Sequence, residues 1–562
     1  MRILHRILYQ NTTFLLCMTL VAALAAQVTA QEIEEQVTVT AAFEPSIPDA
    51  SKLSINPSSN ETEVPLPVMT YDIQARPMET SLQPDDISAV KLVGEPQKKL
   101  YRNYARIGFG NYTTPLAEFY ANSLRSKSYS MGMYFKHFSS SGVIKDYPKS
   151  SNSLNIVRLN GEKYFDEHTL SAQLGYRRNV VYQYGFKPTD FETFINEDDL
   201  KQRFSRINGS VGFKSNYSEK DKLNHEIDLS LSNVSDLFNT RESALNISGK
   251  ASKRFELLDF TDSQMLGLET DINITHYKDS TLKQNSTMVV VKPYISTTFE
   301  EYSLKLGLNL TVQGDSVSKV HLFPMAEGSI RIIDDALVVQ AGITGNLQRK
   351  GFNTLSDINP FIQSVLPLKY TRERFAFYAA IRGRVGKAIN LHGSVRSSSL
   401  ENEVFFVNDF SRIPYNQFTL VYDKANLFTS RLEAEYNESG RINIKAWSQF
   451  DSWKMNLEAK PWHKPALKTG GEIRYNMQDK ITARAGIELF GKQYAKTFGT
   501  EGEVVARQLD GYADISLRLE YRYTKLLSAF LQFNNILGTR YYQWNNYPGY
   551  RFNLLGGISY SF

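Results

Sequence analysis

The segment that decides the fold is LKLGLNLTVQ, residues 304–313, in which apolar and polar positions alternate. A second segment, ADISLRLEYRY at residues 513–523, follows the same alternation, and similar runs recur between residue 101 and the C terminus. A period of two places successive side chains on opposite faces of a β-strand. The sequence therefore predicts an all-β protein whose strands have one apolar and one polar face.

Which face meets water separates a soluble repeat β-protein from a membrane barrel. The runs are about 10–15 residues long, which suits strands that cross a bilayer better than strands of soluble sheets. Large charged residues follow one another on the polar faces. Short turns such as Gly386–Ala388 alternate with longer loops such as 349–372 and 398–426, as in outer-membrane barrels. These features favour a membrane barrel with its apolar face outward, and the soluble β-protein is the alternative.

Backbone groups in lipid must all be paired, so the sheet must close on itself. We predict a closed antiparallel transmembrane β-barrel of about 22 strands between about residues 103 and 562. The least regular part is 398–426, where Gln417–Tyr422 is a candidate extra strand. A lumen of this width is too wide for side chains to fill. Either another segment occupies it, or the protein is an open pore.

The chain begins with a secretory signal pattern. Its 562 residues have a net charge of +5, which gives no indication of nucleic-acid binding. Residues 1–30 combine a basic start, a short apolar core and a small-residue site, so we expect cleavage after Ala30. An uncleaved anchor and lipidation at Cys17, the chain's one cysteine, are the alternatives. Loss of this segment would leave a mature chain without thiol chemistry or disulfides.

Residues 31–100 differ in composition from the rest. They contain eight of the chain's 19 prolines but one glycine and two aromatic residues. Such a stretch buries too little apolar surface to fold alone. We therefore expect an extended or disordered periplasmic or lumenal segment here, followed by the barrel domain at 101–562.

The loop before the last strand is rich in aromatic residues. Tyr and Trp combine an apolar ring with a polar tip and suit a lipid–water boundary. We expect an aromatic girdle, and a ligand platform on the outer surface is the alternative. The residues are Tyr541, Tyr542, Trp544, Tyr547 and Tyr550.

The chain ends FNLLGGISYSF, an alternating strand with a terminal phenylalanine. This resembles the strand by which the outer-membrane assembly machinery recognises barrels. The residues on its apolar face are Leu554, Ile558, Tyr560 and Phe562. The last two hairpins, with NNILGTRYY before the Phe-terminated strand, resemble the end of a TonB-dependent receptor of Gram-negative bacteria. AKPWHKPALKTGGEIRYNMQDKI, at 459–481, is similar to a barrel hairpin of the same family. The resemblance covers about 460 residues and implies an outer-membrane receptor that takes up a solute.

Near the start of the mature chain, EQVTVTA resembles a TonB box. Such a segment would add as a strand to a sheet edge of periplasmic TonB. Its residues are Glu35, Gln36, Val37, Thr38, Val39, Thr40 and Ala41. The family's globular plug has no counterpart, since only 43–100 lie between box and barrel. Three possibilities remain open: residues 31–100 fill the lumen, a separate protein plugs it, or the barrel is a scaffold whose partners bind at its rim.

Charged residues on the polar faces are the candidate lumenal residues. Paired across strands they would brace a wide barrel, and unpaired they would hold a plug or select anionic solutes. They are Lys305, Arg382, Arg384, Glu472, Arg474, Arg518, Glu520 and Arg522.

No catalytic or metal-binding constellation is recognisable. The eight histidines are scattered without metal-ligand spacing, so we expect no metal, cofactor or enzymatic activity. His392 and Ser394 share a strand face, but we expect no acidic residue beside them. Two functions remain: a TonB-dependent-receptor-like transporter that passes or gates a solute, and a plug-less barrel that docks partners in an envelope complex.

Overall fold

The computed structural model describes residues 101–562 apart from 193–194, 218, 220, 257–262, 316, 335, 439 and 500. The signal pattern, the segment 31–100 and the TonB-box-like residues lie outside the described part. Within that part, no helix has the length and apolar character needed to cross a bilayer.

Twenty-two strands form one antiparallel sheet in which neighbours in sequence are neighbours in space. The barrel strands are β1 (Asn103–Gly110), β2 (Thr114–Asn122), β3 (Tyr129–Ser140), β4 (Asn152–Tyr164), β5 (His168–Tyr182), β6 (Lys201–Ser215), β7 (Asn224–Ser235), β8 (Arg241–Phe255), β9 (Ser263–Lys278), β10 (Lys283–Phe299), β11 (Tyr302–Gly314), β12 (Lys319–Ile333), β13 (Leu337–Arg349), β14 (Tyr370–Val385), β15 (Ile389–Asn408), β16 (Phe418–Glu438), β17 (Ile442–Met455), β18 (Leu467–Met477), β19 (Ile481–Phe490), β22 (Tyr512–Arg522), β23 (Leu527–Asn534) and β26 (Asn553–Ser561).

The sheet closes where the first strand meets the last. β1 pairs with β2 on one side and with β26 on the other, in a register from Tyr104↔Ser561 to Gly110↔Leu555. Small residues let the two backbones approach, since a Cβ on Gly557 would lie 2.0 Å from the Ile107 carbonyl oxygen. The predicted closed barrel of about 22 strands is confirmed.

Short elements lie in the loops at one end of the barrel. They are the hairpins β20 (Gln493–Phe498) with β21 (Val504–Leu509) and β24 (Tyr542–Trp544) with β25 (Tyr547–Pro548), the helix α1 (Phe352–Ile358), and the 3-10 turns Pro188–Asp190 and Glu197–Leu200. Turns at the other end, where both termini of the barrel lie, have two to eight residues. Because barrels have short periplasmic turns and long outer loops, the loop end is the outer end.

The apolar rows face outward. Leu304, Leu306 and Leu308 on β11 are 44%, 44% and 49% exposed, whereas a soluble sandwich would bury them. On the other face, Lys305 makes an ion pair with Glu269. A closed barrel with an apolar exterior spans a membrane, so the structure is of the outer-membrane type.

Exposed aromatic side chains lie at the periplasmic ends of several strands, whereas two rings of the loop of residues 541–550 are buried. Exposed rings here are Tyr129, Phe299, Tyr302, Tyr521, Tyr523, Tyr560 and Phe562. Trp544 and Tyr547 are only 8% and 3% exposed. The girdle prediction was therefore wrong for these two residues, because their loop folds inward over the mouth and buries them.

The prediction of a long loop at 398–426 was also wrong. β15 and β16 continue for 20 and 21 residues, and only 409–417 connect them. Residues 418–422 begin β16 and are not an extra strand. Val404–Val407 are consecutive apolar residues that are buried on both faces. A strand covered on both faces loses the alternation that identifies a half-exposed one.

Candidate functional site

The largest buried cluster lies at the outer mouth of the barrel. We call the loops 183–200, 350–369, 409–417, 456–466 and 535–552 the cap. Its core combines side chains of these loops with side chains at the outer ends of the strands. The core residues are Phe204, Val234, Tyr277, Phe352, Leu355, Ile362, Leu366, Val404, Phe406, Phe418, Leu420, Trp544 and Tyr547. This apolar burial gives the cap a hydrophobic driving force of its own.

Tyr547 lies at the centre of the aromatic packing. Its ring stacks on Phe361 with 3.7 Å between ring centroids and packs edge-on against Tyr184 at 5.0 Å. Its hydroxyl donates a hydrogen bond to the carbonyl of Asn416. A Cβ on Gly185 would lie 2.2 Å from the Tyr547 ring, so only glycine allows this approach. Four loop segments thus meet around one side chain.

Loops from nearly opposite walls are joined directly. The loop after β5 and the loop after β15 are separated by ten strands in a barrel of 22. Gln417 Nε2 nevertheless donates to Gln183 Oε1 at 2.8 Å, and the Asn416 side chain donates to the Gln183 carbonyl. Ile362 and Phe418 also form a parallel bridge. The cap therefore spans the mouth of the barrel.

Glu242 on the wall strand β8 holds the start of α1. Its carboxylate accepts hydrogen bonds from the backbone N–H groups of Phe352 at 2.9 Å and Asn353 at 3.2 Å. The Arg349 guanidinium lies 2.8 Å from the same carboxylate. The first N–H groups of a helix have no partner within the helix, so this wall residue supplies them.

Asp236, in the loop between β7 and β8, fixes the next part of the cap. Its carboxylate accepts from Gln202 Nε2 at 3.2 Å, from the Ser364 hydroxyl and from the backbone N–H of Thr240 at 2.8 Å. Burial raises the pKa of the Asp236 carboxyl. The hydrogen bonds oppose this change, because they favour the charged form.

A buried ion cluster joins two further loops. Glu403, 4% exposed, lies 2.6 Å from Lys350 Nζ and 3.5 Å from Lys464 Nζ. Burial lowers the pKa of the Lys350 ammonium, although Glu403 opposes this change. The cluster ties the β13–β14 loop to the β17–β18 loop across β15.

His463 is held as a neutral imidazole. Its Nδ1 lies 3.0 Å from the Phe406 carbonyl oxygen, and its Nε2 accepts from the Asn545 N–H at 3.2 Å. Rings of Phe418 and Trp544 pack against it at 5.4 and 5.2 Å. Burial lowers the pKa of His463 to about 4, since only the Phe406 carbonyl favours the charged form. A proton on Nε2 would break the bond to Asn545.

Four of the eight predicted lumenal charges have an opposite charge nearby. Lys305 Nζ is 3.1 Å from Glu269, two strands away. Glu472 is 3.4 Å from Arg484 on the neighbouring strand. Arg518 and Glu520 are 3.5 Å apart on one strand, so they do not join neighbours. The remaining four have no carboxylate within 4.0 Å in the described part of the chain: Arg382, Arg384, Arg474 and Arg522. Bracing and solute selection remain predictions for these residues.

The residues proposed as an assembly signal share the outer face of β26. Ile558, Tyr560 and Phe562 are 48%, 43% and 49% exposed, and Leu554 is half-buried. The rings of Tyr560 and Phe562 stack at 5.5 Å. Phe562 also exchanges two backbone hydrogen bonds with Asn103. Its role in recognition remains a prediction.

An acidic residue does lie beside His392, which corrects the expectation from sequence. Glu433 faces it from β16, with 3.9 Å between Nδ1 and the carboxylate. This distance exceeds that of a hydrogen bond. Across the described ranges, no group of three or more His, Cys, Asp or Glu residues is arranged to hold a metal ion.

No protein-family model matches this chain. No curated protein matches it either. Solved structures do match. The pyoverdine outer membrane receptor FpvA from Pseudomonas aeruginosa aligns over 83% of this chain and 79% of its own, with TM-score 0.63 and 11% identity.

Two further solved structures give the same result. The siderophore receptor PirA from Acinetobacter baumannii aligns over 83% of this chain and 81% of its own, with TM-score 0.62 and 11% identity. The FrpB iron transporter from Neisseria meningitidis aligns over 83% of this chain and 82% of its own, with TM-score 0.61 and 10% identity. Identities this low show the fold alone. The chain therefore has the barrel fold of these outer-membrane receptors and transporters.

Proposed function

We propose that the protein is a gated outer-membrane transporter of the TonB-dependent receptor type, whose outer mouth is closed by the cap. The observation on which this rests is the cap itself, since its loops meet across the barrel around Tyr547. Six of the thirteen core side chains belong to the cap loops, and an open porin would not bury loop side chains over its mouth. Uptake from outside then requires a solute or a partner to shift the cap toward an open state.

The lumen is compatible with passage of a polar solute. Its walls carry charges of both signs, such as the Lys305–Glu269 and Arg484–Glu472 pairs. Such a wall interacts with water and polar solutes without excluding either sign of charge. The barrel fold shared with siderophore receptors is in keeping with a solute of this kind.

Planar-bilayer recording of the full chain tests the gate. The wild type is expected to conduct rarely, and replacement of residues 352–366 by a short Gly-Ser turn to open large steps. A matched control replaces the exposed turn 386–388, which lies at the periplasmic end. Equal conductance of all three proteins would refute closure by the cap. Folding of each variant is checked by circular dichroism.

Energy coupling is tested separately, because the box lies outside the described residues. Deletion of Glu35–Ala41 is expected to abolish uptake as fully as deletion of the gene. A matched deletion of 57–63 keeps the box. If the box deletion is silent, coupling to TonB is refuted while gating by the cap is untouched.

The docking barrel is the second candidate, and one feature favours it. The β20–β21 hairpin pairs with no other strand in the described structure, and Val504–Gln508 are all exposed. An exposed edge strand is suited to pairing with another chain. If deletion of 493–509 reproduced the loss of the gene while deletion of the box had no effect, docking would be the better description.

A further inference from the structure

Two arginines face each other below α1. Arg177 on β5 and Arg206 on β6 are directly opposite in strand register. Arg177 Nη2 contacts the carboxylate of Asp357 on α1, and Arg206 Nη2 lies 4.0 Å from the same oxygen. One carboxylate therefore serves two guanidinium groups, and no second carboxylate among the described residues lies within 4.0 Å of either of them.

Arg206 is built into the underside of the cap. It is 4% exposed, and it donates to the Asn353 side chain at 2.9 Å and to Ser356 Oγ at 2.7 Å. Its Nη1 is buried and has no hydrogen-bond partner among the described residues. A buried donor without a partner is costly. The cluster would therefore be stabilised by a further acceptor.

The other two members of the cluster are accessible. The side chains of Arg177 and Asp357 are 34% and 42% exposed, so part of each group is accessible to solvent. A guanidinium pairs well with planar acids because its N–H groups match two oxygens at once. An incoming acidic group can thus replace Asp357 on the arginines.

We propose that Arg177 and Arg206 bind an acidic group of the transported solute, a carboxylate or a phosphate, which displaces Asp357. This inference rests on the proposed transport function for the origin of the ligand. Displacement removes the ion pair between α1 and the barrel wall. The solute thereby binds the released cap more tightly than the closed cap, and this difference in affinity is what shifts a two-state equilibrium.

Calorimetry with the full chain in nanodiscs tests the site, with citrate and inorganic phosphate as two separate probes. Saturable binding of citrate alone indicates a carboxylate site, and tighter binding of phosphate a phosphate site. R177Q is expected to lower the affinity for the tighter-binding probe at least about tenfold, the scale of a lost charge-assisted hydrogen bond. D357N is expected to strengthen it by about tenfold, because the internal competitor is neutralised. K222Q is the control, since Lys222 pairs with Glu167 in a periplasmic turn.

The D357N result tests whether the Asp357 carboxylate opposes binding of the probe at the arginines. Unchanged affinity in R177Q, weaker binding in D357N, or no binding of either probe to the wild type would overturn the proposal. R206Q is expected to weaken binding as R177Q does, and if R206Q does not fold, R177Q at the half-exposed Arg177 decides the outcome. If binding follows these variants but cap deletion opens no conductance, the acidic site stands and the transport function falls. If cap deletion opens conductance but neither probe binds, the transport function stands and the acidic site falls.

Discussion

Removal of the Tyr547 side chain is expected to open the cap. Tyr547 is 3% exposed, stacks on Phe361 and donates its hydroxyl to the Asn416 carbonyl. Truncation of a buried aromatic side chain to alanine costs about 3–5 kcal/mol. Since about 1.4 kcal/mol is a factor of ten, the ratio of open to closed caps should rise at least about 100-fold.

The isosteric variant isolates the hydroxyl. Tyr547→Phe keeps the ring stack and removes one hydrogen bond to a buried carbonyl, at a cost of about 1 kcal/mol. The ratio of open to closed caps should then rise by about fivefold. Tyr523→Ala is the matched control, because Tyr523 is 65% exposed at the periplasmic end.

Hydrogen exchange measured by mass spectrometry reports the opening without requiring conductance. The amides of interest join two loops: Gln363 N–H donates to the Phe418 carbonyl at 2.9 Å, and Phe418 N–H to the Phe361 carbonyl at 3.0 Å. Their exchange follows the population of the open cap. Unchanged protection in Tyr547→Ala, or equal effects of the Ala and Phe variants, would refute the reasoning.

Three further outcomes are expected. Acid should loosen the cap. His463 is neutral when the cap is closed, with a pKa of about 4 against its ordinary 6.5. The stability of the closed cap is therefore greatest above pH 6.5 and falls by about 3 kcal/mol toward pH 4. Tryptophan fluorescence against pH measures this, and His463→Gln should flatten the profile. Asp423→Asn should reduce the free energy that holds the loop after β17 in place by at least about 2 kcal/mol. The reason is that the buried carboxylate accepts hydrogen bonds from the N–H groups of Asn456, Leu457 and Glu458. Limited proteolysis there should accelerate, and equal rates would contradict this. Deletion of Phe562 should lower the amount of folded barrel in outer-membrane fractions several-fold, whereas Ser561→Ala should not, since Ser561 lies off the outward aromatic face.

The barrel was predictable from sequence because each strand carries its own signal. In 304–313, alternation alone identifies the strand and its two faces, and the outward exposure of Leu304 and Leu306 agrees with it. The terminal alternation of FNLLGGISYSF likewise predicts the last strand, β26. A half-exposed strand needs no information from distant residues to show this pattern.

The cap was not predictable in the same way. Trp544 and Tyr547 have the composition of an interfacial girdle, and only the contacts with Phe361 and Phe418 place them in a buried core. Val404–Val407 also show no alternation, because loops cover both of their faces.

Sequence by itself determined the all-β class, the closed barrel, its approximate strand number and the direction of the apolar rows. The tertiary structure alone decided that the loops meet across the mouth, that Asp357 meets Arg177, and that Glu242 holds the start of α1. The physical reason is the separation along the sequence of the residues that interact. Strand alternation is imposed by neighbours two residues apart, whereas the cap joins residues such as Gln183 and Gln417, whose meeting depends on closure of the whole sheet.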